Sequence, residues 1–147
     1  MILISHRGNI MGRNDFENHP DLIKSTLGIG FDVEVDIWFV DGRLFLGHDG
    51  PEYLIDYDFL LNDGLWIHCK NVESFEILKD NSNPNNYFYH QNDDFALTSL
   101  GYLWTYPGQK LTKYSIAVMP EMKEFKNIKV SYGICSDFIS DKKYTNL

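Results

Sequence analysis

The sequence predicts an α/β protein built on a mainly parallel sheet, and two observations support this class. Short apolar segments typical of strands alternate along the chain with segments whose apolar residues recur at helical spacing. This alternation is typical of βα units, in which a helix or long loop connects parallel strands. In addition, polar residues follow directly after most predicted strands, where functional side chains gather in parallel sheets. These residues are His6, Arg7, His48, Lys70, His90, Glu121 and Asp137.

The N-terminal part of the chain predicts one strand and one helix. Ile2–Ser5 is a short buried strand that leads into His6–Gly8, where the glycine permits a tight turn. We expect Asn18 to cap a helix that ends at Gly28 or Gly30, because asparagine is favoured before the first helical turn and glycine after the last.

The stretch from Asp32 to Asp49 reads DVEVDIWFVDGRLFLGHD and is the most informative part of the chain. In an extended strand, Asp32, Glu34 and Asp36 lie on one face and apolar residues on the other. Packed carboxylates repel each other and lose water, and a bound cation such as Mg²⁺, Ca²⁺ or Mn²⁺ relieves this cost. The alternative is a polar strand that faces solvent, since charged side chains mostly lie in water.

A tight hairpin is predicted within this stretch. Asp41–Gly42 separates two apolar runs, a pattern typical of two-residue β-turns. The hairpin pairs Val40 with Arg43, and counting along this register brings His48 beside Val35 and Asp36. We therefore expect a histidine close to the acids.

The rest of the chain continues the alternation of strands and helical segments. Strands are predicted at 65–69, 87–89, 101–106, 115–119 and 132–135, and short helical segments at 56–61, 72–79, 95–100 and 122–126. In the strand at 65–69, the two-residue period places His68 and Lys70 on the same face.

Length and charge restrict the class of protein. A chain of 147 residues suffices for one domain with one core. The net charge of −8 argues against nucleic-acid binding, which needs a basic surface, but permits a small phosphate ligand held by local cations. No apolar run has the length of a membrane span or a signal peptide, so we expect a soluble, cytoplasmic protein. Cys69 and Cys135 lack metal or redox spacing; free buried thiols are expected, with a disulfide as the alternative.

Three motifs in the first 49 residues together resemble the glycerophosphodiester phosphodiesterase family, within the superfamily that includes phosphatidylinositol phospholipase C. They are His6-Arg7-Gly8 after the first strand, Glu17-Asn18 before the first helix, and Glu34-Val35-Asp36 followed by His48-Asp49. Later in the chain the likeness is thinner. Lys70, Trp104-Thr105 and the segment 133–137 are similar to later motifs of the family.

The resemblance implies a fold and an activity. The fold is a single (β/α)8 TIM-type barrel domain over 1–147, and since such barrels usually need about 250 residues, we expect a compact, reduced version with several outer helices shortened or missing. The activity is metal-dependent hydrolysis of a glycerophosphodiester-like small molecule or of a lipid or glycan head group. The alternatives are a lyase that stops at a cyclic phosphate and a non-catalytic module that binds phosphate or sugar phosphate.

The resemblance also implies catalytic residues. His6 and His48 match the two histidines that exchange protons during cleavage, and Arg7 and Lys70 match the cations that hold the phosphate. These residue types suit the chemistry, because imidazole titrates near neutrality and guanidinium and ammonium groups bind phosphoryl oxygens. Trp104 and Glu121 are further candidates for substrate binding, with a core or pocket-wall role as the alternative for Trp104.

A single divalent metal ion is the cofactor that the resemblance implies. Glu34 and Asp36 match the metal-binding pair, and His68 stands where the family has a third acidic ligand. Mg²⁺ or Ca²⁺ is expected, and the imidazole makes Mn²⁺ or Zn²⁺ an alternative. Glu17 is a candidate fourth ligand; alternatively it orients Arg7, or it is a helix-start acid favoured by the helix dipole.

Overall fold

A computed structural model describes residues 1–147 as one curled sheet of ten strands with three α-helices. The strands are β1 (Ile2–His6), β2 (Asp32–Val40), β3 (Arg43–Leu46), β4 (Tyr53–Ile55), β5 (Leu65–Cys69), β6 (Asn86–Tyr89), β7 (Phe95–Leu97), β8 (Leu103–Thr105), β9 (Ser115–Val118) and β10 (Gly133–Ser136). The helices are α1 (Pro20–Gly28), α2 (Val72–Asp80) and α3 (Lys142–Thr145), and 3₁₀ helices cover Tyr57–Leu61 and Ile128–Val130.

Neighbouring strands of the main sheet run parallel in the order β6-β5-β2-β1-β10-β9-β8. The other three strands are antiparallel additions: β3 pairs with the second half of β2, β4 pairs with β3, and β7 pairs with β8. The carboxyl ends of the parallel strands therefore meet at one edge of the sheet, as the sequence predicts. Register brings His6 opposite Glu34 and Asp36 opposite His68.

The prediction of a reduced (β/α)8 TIM barrel is wrong. Such a barrel alternates eight parallel strands with eight helices, whereas this chain has three α-helices and a mixed sheet that curls into a half-barrel. The connections explain the difference. Only α1 and α2 link neighbouring parallel strands, and the segments 90–94, 98–102 and 106–114 are shorter than the roughly 10–12 residues that a helical crossover requires.

The predicted hairpin is confirmed. Asp41 and Gly42 both adopt the left-handed backbone conformation, with φ of 50° and 73°, and Val40 pairs with Arg43. This is the geometry that joins two antiparallel strands with the fewest residues. The expected register continues through the hairpin, and the backbone amide of Gly47 donates to the Asp36 carbonyl at 3.1 Å.

Three local predictions are wrong. The segment 95–100 is not helical, because β7 pairs with β8 and buries only Ala96 while its neighbours on either side stay exposed, which is the two-residue period of a strand. Asn18 does not cap α1; His19 does, by accepting from the Asp21 amide. The segment 122–126 also lacks a helix, and α3 is an element that the sequence did not indicate.

Apolar residues fill both sides of the sheet. A cluster on the outer face packs α1 and α2 against the sheet, and includes Val33, Val35, Ile37, Ile67, Cys69 and Leu78. A second cluster fills the concave face and includes Ile4, Trp66, Phe88, Trp104, Ile116 and Cys135. The two cysteines are thus buried, free and in different clusters, as expected for packing residues. No helix has the length and apolar character that crossing a membrane requires.

Candidate active site

A cleft of about 620 Å³ opens at the carboxyl ends of the parallel strands, above the apolar cluster of the concave face. Most of the residues that the sequence singled out line this cleft. They are His6, Arg7, Glu34, His48, His68, Lys70, His90, Trp104 and Asp137. The tertiary structure therefore brings together residues from the first 50 positions with residues from the middle and the end of the chain.

Asp36 lies at the centre of an ion-pair network beneath the cleft. Its carboxylate is 2.8 Å from His68 Nδ1, 3.0 Å from Arg7 Nε and 3.6 Å from Lys70 Nζ, and it accepts a hydrogen bond from Asn18 Nδ2 at 3.0 Å. The Arg7 Nε–H does not point at the carboxylate, so that contact is an ion pair without a hydrogen bond. Burial opposes ionisation, but the hydrogen bond from His68 and the charges of its neighbours hold the pKa of Asp36 well below its usual range.

Glu34 is buried like Asp36 but has no such partners. Its Oε2 has no hydrogen bond, and the closest nitrogens are His6 Nε2 and His68 Nδ1, each 3.9 Å from a carboxylate oxygen. Burial, followed by the charge of Asp36, raises the pKa of Glu34. A buried carboxylate without donors is costly, and a cation beside it would offset this cost.

Glu34, Asp36 and His68 could hold a metal ion. One ligand atom from each lies within 4.8 Å of the others, and all three residues are buried. The unpartnered Glu34 Oε2 and the unpartnered Nε2 of His68 are the kind of orphaned buried atoms that an ion would satisfy. The residues present therefore fit a metal ion.

Glu17 does not belong to this group. Its carboxylate accepts hydrogen bonds from Arg7 Nη1 at 3.2 Å, from Asn9 Nδ2 at 2.8 Å and from Arg13 Nε at 2.9 Å. Burial would raise the pKa of Glu17, but these donors lower it overall. Of the alternatives that the sequence left open, the structure places Glu17 in contact with Arg7, where it orients the guanidinium.

His6 is held by the other end of the chain. Its Nδ1 lies 2.8 Å from Asp137 Oδ1, which also accepts from Asn9 Nδ2 at 2.8 Å. Burial lowers the pKa of His6, but the hydrogen bond to Asp137 and the charge of Glu34 outweigh burial and raise the pKa. Glu121 does not line the cleft; it accepts from the backbone amide of Asp137 at 2.9 Å and so fixes the loop that carries this aspartate.

His48 lies at the cleft entrance, directly after β3. Its side chain is 40% exposed, and its Nδ1 is 2.7 Å from Oδ1 of the almost fully exposed Asp49. Burial and the charge of Arg7 lower the pKa of His48. His6 and His48 thus contribute to the same cleft one largely covered imidazole that Asp137 holds and one half-exposed imidazole.

His90 and Tyr106 join the two sides of the curled sheet, and the sequence assigned neither of them a role in the site. His90 stacks on His68 with ring centroids 4.4 Å apart, and its Nε2 contacts the Tyr106 hydroxyl. Burial, with the charges of His68 and Lys70, lowers the pKa of His90 to about 4, so its ring is neutral at physiological pH. A signal was present in the strand period, because His90 follows Phe88 by two residues and so shares its concave face.

Asn9 and Asn18 are further site residues that sequence reasoning missed. Both are buried, and both hold carboxylates of the site through side-chain amides. Asn18 adopts a φ of 63°, which asparagine tolerates better than most residues, and its Oδ1 accepts from the Asp36 amide at 2.9 Å. No local pattern distinguishes such a residue from a helix cap.

No protein-family model, curated protein or solved structure matches this chain.

Proposed function

We propose that the protein is a metal-dependent phosphodiester hydrolase that acts on a glycerophosphodiester-like small molecule or on a lipid or glycan head group. The observation that carries the proposal is the environment of Glu34. This buried carboxylate has an oxygen without a hydrogen-bond donor, lies between the imidazoles of His6 and His68, and shares its cleft with Arg7 and Lys70.

The charge balance of the site supports a cation as part of the binding site for an anionic substrate. Four carboxylates face three permanent cations in and directly below the cleft: Glu17, Glu34, Asp36 and Asp137 against Arg7, Arg13 and Lys70. With all four carboxylates ionised and the imidazoles neutral, a phosphodiester anion would meet net negative charge. A divalent ion held by Glu34, Asp36 and His68 would reverse this balance and act as a Lewis acid on a phosphoryl oxygen. Two carboxylates favour Mg²⁺ or Ca²⁺, and the imidazole makes Mn²⁺ or Zn²⁺ the alternative.

Arg7 and Lys70 supply the fixed positive charge for the phosphate. The Arg7 guanidinium is held from two sides, by Glu17 at Nη1 and by Asp36 at Nε, so its planar group has one orientation. The Lys70 ammonium lies 3.6 Å from Asp36 on the neighbouring strand end. A guanidinium that is oriented before the substrate arrives loses little freedom on binding, which favours recognition of two phosphoryl oxygens.

His6 and His48 perform the proton transfers. With Asp137 accepting from Nδ1–H, the Nε2 of His6 remains available to exchange a proton. In the cleavage step, a substrate hydroxyl next to the phosphate attacks phosphorus, one imidazole takes its proton, and the other protonates the departing alcohol oxygen. The cyclic phosphate that forms is then opened by water, with the two imidazoles exchanging roles. A lyase would release the cyclic phosphate instead.

The test is hydrolysis of a chromogenic diester together with thermal unfolding, each with EDTA or with added Mg²⁺, Ca²⁺, Mn²⁺ or Zn²⁺. The substrate is the nitrophenyl ester of hydroxypropyl phosphate, which carries a neighbouring hydroxyl; bis(nitrophenyl) phosphate, which lacks one, is the comparison. We expect metal-dependent cleavage of the first and metal-dependent stabilisation. Glu34→Ala should lose both, and His6→Ala should lose only cleavage. Undiminished cleavage by the His6 variant, or equal rates with both esters, would contradict the proton-transfer scheme.

A non-catalytic phosphate-binding module is the second candidate, and one observation favours it. Asp36 is already balanced by Arg7, Lys70 and His68, so this carboxylate is satisfied without an ion. Such a module would bind inorganic phosphate or glycerol phosphate in EDTA and cleave neither ester with any of the four metals.

A further inference from the structure

The cleft has two chemically different halves. The half that carries the titratable groups is formed at the ends of β1, β2, β3, β5, β6 and β10. The other half is formed by apolar side chains that follow β8 and β9, with two buried residues beneath them. These are Tyr106, Pro107, Met119 and Met122 at the surface of the cleft, and Trp104 and Val118 below.

The two methionines are held at the cleft by a turn after β9. The Met119 amide donates to the Cys135 carbonyl at 2.8 Å, and the Met122 amide donates to the Met119 carbonyl at 2.9 Å. Met119 has a φ of 47°, a conformation that residues with a Cβ rarely adopt. Met122 lines the cleft and is 72% exposed. A ligand in the cleft would cover this apolar surface and remove it from water, which is favourable.

Apart from the Tyr106 hydroxyl, which contacts His90, the residues at the surface of the apolar half carry no polar side-chain group. The two carboxylates that line the cleft, Glu34 and Asp137, face the histidines of the polar half. Lys70 and Arg7 are in contact with Asp36 on the same side. A group that enters the apolar half is therefore best accommodated if it is uncharged and rich in hydrocarbon.

We propose that this half of the cleft binds an aliphatic chain on one ester group of the substrate. The inference rests on the proposed function, in which the phosphate is bound by Arg7 and Lys70, and it narrows the substrate class to phosphodiesters with one alkyl-bearing alcohol. Methionine side chains suit such a chain because they are flexible and polarizable. The chain lies against Met119 and Met122 with Tyr106 at its side.

The test uses binding, so that it does not depend on turnover. Affinities of ethyl, butyl and hexyl phosphate are measured by calorimetry in Mg²⁺, with inorganic phosphate as the reference and all esters below their aggregation concentrations. Each methylene that the cleft buries should tighten binding by about fourfold. Affinity that does not rise from the ethyl to the hexyl ester, or no binding of the hexyl ester, overturns the inference.

Charge selectivity is tested with a matched pair of ligands. Choline phosphate and dimethylbutyl phosphate have the same shape, but the first carries a quaternary ammonium and the second a neutral carbon. The neutral ester should bind more tightly. Equal or tighter binding of choline phosphate would instead indicate an aromatic site for cations and overturn the inference.

Variants locate the chain within the cleft. Met122→Ser should reduce the gain from ethyl to hexyl phosphate and leave the affinity for inorganic phosphate unchanged. Met11→Ser is the matched control, because Met11 is 80% exposed and lies outside the cleft. A full chain-length gain in a Met119→Ser/Met122→Ser variant overturns the inference. If affinity rises with chain length but no ester is hydrolysed, only the proposed catalysis is refuted. If esters are hydrolysed but affinity does not rise with chain length, only the aliphatic site is refuted.

Discussion

His6 Nδ1 and Asp137 Oδ1 lie 2.8 Å apart, although 131 positions separate these residues in the chain. The contact follows from the sheet, because β1 and β10 are parallel neighbours and pair Ser5 with Ser136. The next residue of each strand therefore reaches the same side of the cleft. A carboxylate that accepts from Nδ1–H fixes the tautomer of His6 and presents Nε2 towards Glu34. In the proposed mechanism, Asp137 is therefore a positioning residue for proton transfer.

Asp137→Asn tests this role. Loss of the carboxylate removes the interaction that selects the tautomer, and we expect kcat for the hydroxypropyl ester to fall by about 10²-fold, the lower end of what general acid–base catalysis contributes. The pH optimum of the bell-shaped kcat–pH profile should also shift, and a purely structural defect would not cause such a shift.

Asp49→Asn is the matched control for that substitution. The Asp49 carboxylate pairs with His48 at 2.7 Å but is 97% exposed, and exposed ion pairs contribute little. Its kcat should stay within a few-fold of wild type. Equal losses in the two variants would show that the buried carboxylate has no special role.

Neutral substitutions of Glu34 and Asp36 should change the stability of the protein in opposite directions when unfolding is measured in EDTA. The pKa of Glu34 is raised, so its ionisation costs stability above its unfolded value of about 4.5. Glu34→Gln should therefore raise the unfolding temperature at pH 7. Asp36→Asn removes the buried charge that Arg7, Lys70 and His68 share, and should lower the free energy of unfolding by about 3–5 kcal/mol. Destabilisation of similar size in both would contradict this difference.

Asn18→Ala should destabilise the protein although no charge changes. It leaves the Asp36 amide without an acceptor and removes one of the donors to the Asp36 carboxylate. The expected cost is about 1–3 kcal/mol for the unpaired buried amide, measured by urea unfolding. Asn81→Ala is the control, because Asn81 is exposed and its side chain bonds only to the Ile77 carbonyl at the end of α2. A loss in the Asn18 variant no larger than in the control would show that this asparagine does not support the site.

The contribution of Glu17 to the stability of the protein should be lost at acidic pH. Its pKa is lowered in the folded protein because hydrogen bonds from Arg13, Asn9 and Arg7 outweigh burial. The stabilisation is therefore complete at a pH above the pKa of Glu17 in the unfolded chain, about 4.5. It is lost as the pH falls through the lower pKa of Glu17 in the folded protein. The unfolding temperature of wild type should exceed that of Glu17→Gln at pH 6, and the difference should shrink as the pH falls from 6 to 3. A constant difference over this range would mean that the charge of Glu17 contributes nothing.

Several features of the fold and the site were predictable because they depend on neighbours in the chain. The Asp41–Gly42 turn needs only two residues that tolerate a left-handed backbone. The alternation of β2 places Glu34 and Asp36 on the concave face wherever the strand lies in the sheet. The likeness of scattered motifs to one family indicated that His6, Arg7, His48 and Lys70 belong to one cleft, and they line it together.

Other features depend on which strands become neighbours, and local patterns do not encode that choice. The sequence alone determined the hairpin, the helix α2, the strand faces and the set of polar residues at the strand ends. Only the tertiary structure decided that the sheet curls without eight helices, that Asn18 binds Asp36 and not a helix end, that Glu17 orients Arg7, and that Asp137 holds His6. The physical reason is that a backbone turn is selected by the residues within it, whereas a buried carboxylate is stabilised by whichever donors the packing of distant strands brings within 3 Å of it.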